Sequence, residues 1–224
     1  SRACHYTRTT GIWQTVWLEP VPDTYLGRVR LTPDLPGSAL RIDAAIDGTP
    51  ARGTLRATAS LEGRPMGAVE ARFDGDRVAA ILPLREAVPW APGSPTLYDL
   101  ELEVVTEGGG RDVVSSYFGL RSLALSDRAI LLNDKPVYQR LVLDQGFYPD
   151  GVFTAPDDEA LCNDIAISQG LGFNGARLHQ KVFEPRFLYW ADRMGYLVWG
   201  EFPSWGLDVS RPAALEVFLP QWLE

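Results

Sequence analysis

Cysteine, histidine and methionine each occur only twice in 224 residues. The two cysteines, Cys4 and Cys162, have the spacing of neither a zinc knuckle nor a disulfide framework, so both are expected to be ordinary thiols. With so few thiols and imidazoles, no metal and no other cofactor is expected. Long apolar runs are missing as well: none approaches the ~18 residues of a membrane helix, so no membrane partner is expected. Positive charge is scarce, 21 Lys and Arg against 29 Asp and Glu, and the net charge of −8 comes without any basic block, which argues against a nucleic-acid partner. The opening residues, "SRACHYTRTTG", hold no methionine, basic n-region or apolar h-region. No signal peptide is visible, the chain reads as a cut piece of something longer, and the cytoplasm is the default expectation for its compartment.

What is there has the composition of a globular protein, 46% hydrophobic and 22% charged, with length for one large or two ordinary domains. Up to about residue 120 the pattern is one of short alternating strands. "YLGRVRL" (25–31), "ALRIDAAID" (39–47), "TLRATASL" (54–61), "AVEARF" (68–73), "RVAAIL" (77–82), "LYDLELEVV" (97–105) and "DVVSSYF" (112–118) are separated by turn chemistry such as Asp47-Gly48 and Glu62-Gly63. Seven strands at this spacing predict an antiparallel immunoglobulin-like β-sandwich. Its polar faces carry no cluster of His, Asp or Glu, so a spacer or packing module is expected there.

From about residue 130 the grammar becomes strand, helix, strand, helix, strand. "VYQRLVLD" (137–144) reads as a strand. "TAPDDEALCNDIAISQGLG" (154–172) reads as a helix opened by Thr154 at capping-box spacing, with Leu161, Ile165 and Ser168 inward. "GARLH" (175–179) is a second strand, "EPRFLYWADRMG" (184–195) a helix with Phe187, Ala191 and Met194 inward, and "YLVWGE" (196–201) a third strand, with a last helix beginning near Ala213. Repeated βα units build a parallel sheet whose chemistry lies at the C-terminal strand ends.

Three strand ends carry polar groups: Asp144 with Gln145, then Arg177 and His179 two residues apart, then Glu201 with Trp205. Parallel neighbours would bring Asp144, Arg177, His179 and Glu201 to one rim. Each has a plainer explanation. Arg177 and Glu201 form a buried ion pair equally well, which by itself proves no function, and a lone His179 is more often structural than catalytic. Trp199 and Trp205 are core candidates, although an indole face beside paired hydrogen-bonding groups is also what a sugar ring requires.

Four stretches carry a resemblance to glycoside hydrolase family 2, the group of β-galactosidases, β-glucuronidases and β-mannosidases. "TTGIWQTVWLEP" (9–20) resembles the closing strand of that family's sugar-binding jelly roll. "PWAPGSPTLYDLELEV" (89–104) with "YFGLRSL" (117–123) resembles its immunoglobulin-like domain. "LLNDKPVYQRLVLDQG" (131–146) resembles the entry to its (β/α)8 barrel, and "LGFNGARLHQKVFEPRFLYWADRMGYLVWGEFPSWG" (171–206) the second and third barrel strands. The resemblance implies three domains: a closing jelly-roll strand at 1–20, the sandwich at 21–120, and the first three or so βα units of a TIM barrel at 121–224. It implies a retaining glycosidase whose two catalytic glutamates follow the fourth and seventh barrel strands and so lie outside this chain; neither Glu201 nor Glu224 matches them. Arg177 matches the family's second-strand arginine. His179 departs by one residue from the galactosidase-type spacing. Asp144, Arg177, His179, Glu201 and Trp205 are the expected substrate-binding residues, and a carbohydrate is the expected partner. The rivals are a non-catalytic carbohydrate-binding or interaction module and a complete small enzyme using His179 with Asp144 or Glu201. Unless later strands or a partner chain cover its open face, an incomplete barrel is further expected to self-associate or to be poorly ordered in solution.

Overall fold

The computed structural model describes residues 10–203, 208 and 210–216. The described residues divide into two compact units, one of residues 17–138 and one that joins those from 139 onward to residues 10–16.

The first unit begins with strands β1 (Thr24–Asp34), β2 (Ala39–Gly48), β3 (Arg52–Leu61), β4 (Arg64–Asp74), β5 (Arg77–Pro83), β6 (Tyr98–Thr106) and β7 (Arg111–Phe118). They form two antiparallel sheets, in the orders β1-β2-β5 and β4-β3-β6-β7. Alternation decides which face is buried. In β5, Val78, Ala80 and Leu82 turn inward while Arg77, Ala79 and Ile81 face out. Leu40, Ile42 and Leu82 of one sheet share a core with Leu55, Leu100 and Leu102 of the other. Full burial of such side chains contributes about 1.5–3 kcal/mol each. Glu62 and Gly63, both at positive φ (52° and 76°), make the two-residue turn between β3 and β4 that matches strand twist. Tyr98, fully buried at the start of β6, accepts from the Val88 amide at 2.7 Å, donates to the Glu86 carbonyl at 3.1 Å, and stacks on Phe118 at 4.9 Å.

Three short strands absent from the sequence reading follow: β8 (Leu123–Leu125), β9 (Ile130–Leu132) and β10 (Lys135–Pro136). Two or three residues carry too little alternation to be recognised. Asn133 anchors them. Its side chain accepts from the Ser122 amide at 3.0 Å and donates to the Trp90 carbonyl at 3.0 Å.

The second unit contains β11 (Leu141–Asp144), α1 (Asp158–Gly170), β12 (Gly175–Leu178), α2 (Pro185–Met194) and β13 (Leu197–Gly200). The three strands are parallel and lie in chain order. The strand expected from residue 137 starts only at Leu141. Just before it, the Arg140 amide is taken by the Asn174 side chain at 2.8 Å. The helix is capped by Asp157, which accepts from the Ala160 amide at 2.9 Å, rather than by Thr154. A cap at Thr154 would face Pro156, which has no N–H to give. Gly195 closes α2 in the left-handed conformation at φ 70°. Residues 212–216 are helical, where the last helix was expected.

Leu161 and Ile165 of α1 and Phe187 and Ala191 of α2 pack with Ala176 and Leu178 on one face of the sheet. On the other face the register aligns Leu143, Arg177 and Trp199, and all three are about half exposed. Among the described residues no helix is long and apolar enough to cross a membrane.

Candidate functional site

Strand register sorts the expected residues by face. Successive side chains in a strand point to opposite sides. Arg177 therefore lies on the open face with Leu143 and Trp199, whereas Asp144 aligns with Leu178 on the helix-covered face. Immediately beyond the strand ends, the Arg177 guanidinium Nε bonds one oxygen of Glu201. The other oxygen accepts from the Gln180 amide at 3.1 Å. Burial alone would raise the Glu201 carboxyl, but the Gln180 amide and the Arg177 charge outweigh it and hold the group below the usual range. Glu201 is thus a fixed, ionised acceptor, with 16% of its side chain exposed.

His179 connects the first two strand ends. Its amide donates to the Asp144 carbonyl at 2.8 Å, and its Nδ1 lies 3.3 Å from the Gln145 amide nitrogen. With Gln145 as donor, Nδ1 accepts and the ring proton sits on Nε2. The Asp144 carboxylate itself turns back to the Gly146 amide at 2.8 Å. Burial first, then the charge of Asp164, pushes its carboxyl up, against the pull of the Gly146 amide and Lys181. The expected rim therefore divides: Arg177 and Glu201 are joined directly, His179 sits beside them along the chain, and Asp144 faces the helices. Trp205 and Glu224 lie outside the described residues, as does Cys4. Cys162 is a free, partly exposed thiol.

Behind Asp144 is a polar layer that sequence reasoning missed. The Tyr148 hydroxyl donates to Asp164 at 2.9 Å, and burial raises that phenol well above its ordinary value. Ser168 and Tyr196 share a buried hydroxyl contact at 2.6 Å. Lys181, only 3% exposed, donates to the carbonyls of Gly146 and Phe153. Burial pulls its ammonium down, opposed by the charges of Glu184 and Asp144. A lysine inside "HQKVF" offers one sequence signal, a cation set directly against an apolar pair. Its remaining partners are too distant in the chain to be read. Among the described residues no group of His, Cys, Asp and Glu could hold a metal ion.

In the sandwich unit an open groove of about 620 Å³ runs past Ser60, Met66, Pro83 and Arg85. It gathers no acid, imidazole or aromatic group and offers no chemistry comparable with the strand ends.

Residues 24–121 match the family model described as Glycosyl hydrolases family 2. The chain is 28% identical over 130 residues to a beta-glucuronidase of Streptococcus agalactiae, a stretch covering 57% of this chain and 21% of that protein. It is 24% identical over 208 residues to a beta-galactosidase of Leuconostoc mesenteroides, covering 85% of this chain and 20% of the relative. The chain thus spans about a fifth of the length of these two curated relatives. Among solved structures, the beta-glucuronidase of Parabacteroides merdae superposes with a TM-score of 0.70 at 20% identity, over 82% of this chain and 24% of the other. The beta-glucuronidase of Bifidobacterium dentium, solved with coumarin-3-O-glucuronide, gives 0.72 at 22% identity, over 81% of this chain and 31% of the other. At these identities the structural matches establish a shared fold.

Proposed function

We propose that this chain, whose residues 24–121 match the glycosyl hydrolases family 2 model, is part of a longer retaining glycoside hydrolase that cleaves O-glycosidic bonds. Residues 21–120 would be its immunoglobulin-like module and residues 121–224 the opening of its TIM barrel, preceded by the last strand of a jelly roll. The sandwich reading is supported by the two-sheet strand order and by the Tyr98 hydroxyl tied to the backbone at the start of β6. The barrel reading is supported by three parallel strands in chain order with α1 and α2 packed on one face.

The observation that carries the proposal is the Arg177–Glu201 pair, fixed at the C-terminal ends of adjacent parallel strands with His179 beside it. Parallel βα units place substrate at this end. Arg177, His179 and Glu201 would contact the sugar, with Trp205 as a stacking surface and Asp144 supporting the rim from the helix side. Retaining hydrolysis needs two carboxyl groups about 5–5.5 Å apart, one as acid/base and one as nucleophile. Arg177 neutralises Glu201 and holds it ionised, which suits a hydrogen-bond acceptor better than a proton donor. On the family resemblance, the catalytic pair would follow later barrel strands. The chain by itself therefore turns over no aryl glycoside, a result checked by chromogenic hydrolysis assays. Glycosidase activity abolished by Glu201→Gln would overturn this assignment.

A further inference from the structure

Lys181 is almost wholly buried, yet segments far apart in sequence converge on it. Its Nζ donates to the carbonyls of Gly146 and Phe153, each at 2.8 Å. The same nitrogen lies 4.7 Å from the ring centroid of Phe153, 4.8 Å from Phe183 and 5.3 Å from Trp13. Burying an ammonium is costly unless something replaces its water; here two carbonyls and three ring faces do so. Trp13 is held in further ways. Its ring meets Phe153 edge-on at 5.2 Å, its carbonyl accepts from the Thr154 hydroxyl at 2.7 Å, and the Gln14 amide beside it donates to the Val182 carbonyl at 3.3 Å.

The backbone bears the marks of this convergence. Gly146 sits at φ 58°, and a Cβ there would approach Lys181 Nζ to 2.6 Å and the Phe183 ring to 2.9 Å. Val152 and Gln180 also have positive φ, 55° and 56°. A β-branched residue such as valine rarely adopts this conformation. Val152 directly precedes Phe153, and Gln180 directly precedes Lys181. Unfavourable backbone of this kind persists only where the surroundings over-determine it.

Lys181 also reaches both chain segments whose contact orients the imidazole. Gly146 follows Gln145, whose amide meets His179 Nδ1, and Lys181 follows His179 by two residues. We propose that Lys181 is a positioning residue: it uses the N-terminal segment carrying Trp13 as one wall, pins the turn at Gly146, and thereby sets the Gln145–His179 contact. The carbohydrate role of that contact rests on the reading given above; the clamp itself does not.

The test uses the 224-residue chain with fluorotryptophan and nitrogen-labelled histidine, observed by NMR. Trp13→Phe assigns the Trp13 signal, His5→Gln assigns His179, and Trp190 on α2 reports whether the unit stays folded. Lys181→Met is expected to move Trp13 to a solvent-exposed shift and displace the His179 ring nitrogens while Trp190 stays put. Thr154→Val, which leaves the lysine and removes one tie to Trp13, should move both signals the same way by less. Trp13 unmoved in folded Lys181→Met, or His179 unmoved while Trp13 is released in either variant, overturns the proposal. Where Lys181→Met also loses the Trp190 signal, Thr154→Val decides alone on the same terms. Sugar titration of the unmodified chain is scored separately. Absence of binding there removes the carbohydrate reading and leaves the clamp standing if the shifts occur.

Discussion

Asp144 and Glu201 are both carboxylates at parallel strand ends, and their surroundings push them in opposite directions. Glu201 has a guanidinium and an amide on its oxygens and is held ionised. Asp144 is partly buried near Asp164, and the desolvation outweighs the backbone amides of Gly146 and Gln145 and the offsetting charge of Lys181, so its carboxyl is raised. A raised carboxyl binds its proton more tightly folded than unfolded. Its favourable contribution is therefore present in acid and is lost as pH climbs from the ordinary value of 3.8 through the raised one. Asn at this position keeps an acceptor for the Gly146 amide and carries no charge. Asp144→Asn is expected to raise Tm at neutral pH, with the gap closing in acid; equal Tm values across that range would contradict the account. Both residues were legible as polar strand ends. Their difference was not, because sequence spacing shows the position of a side chain and not which face its neighbours occupy.

Among the elements, the seven strands of the sandwich were legible in their middles, while β4 begins at Arg64 rather than 68 and β1 runs to Asp34 rather than 31. Strands of seven to eleven residues with period-two alternation leave little doubt which side is buried. The short pieces were not: β8, β9 and β10 pair in a small antiparallel sheet, and the Asn133 side chain at its turn reaches Trp90 from 43 residues away. Tyr98 is a similar case inside a legible strand. Its burial followed from alternation, while its hydroxyl contacts with Glu86 and Val88 did not. Removing that hydroxyl leaves the Val88 amide without its partner, so Tyr98→Phe should cost about 1–3 kcal/mol in chemical denaturation with an unchanged m value. A cost near zero would mean that water replaces the phenol and that the tie does not hold the segment before β6.

For the whole molecule, among the described residues α1 and α2 pack on one face of the α/β sheet, while Leu143 and Trp199 remain 55% and 50% exposed on the other. Half-exposed apolar groups in register on a parallel sheet favour pairing with a second copy. Sedimentation should show concentration-dependent association, shifted toward monomer by Leu143→Lys combined with Trp199→Lys. A compact monomer at all concentrations would argue that this face needs no cover. The sequence by itself determined the two kinds of architecture and their order, because periodicity and turn chemistry are local and each strand or helix carries its own pattern. It also determined that acid, arginine and histidine would stand at strand ends. Tertiary structure alone decided that Arg177 meets Glu201, that Asp144 turns to the helices, and that Trp13 joins residues more than a hundred positions away around Lys181. Those contacts depend on register and on chain closure over long loops, and neither quantity is written in any short window of residues.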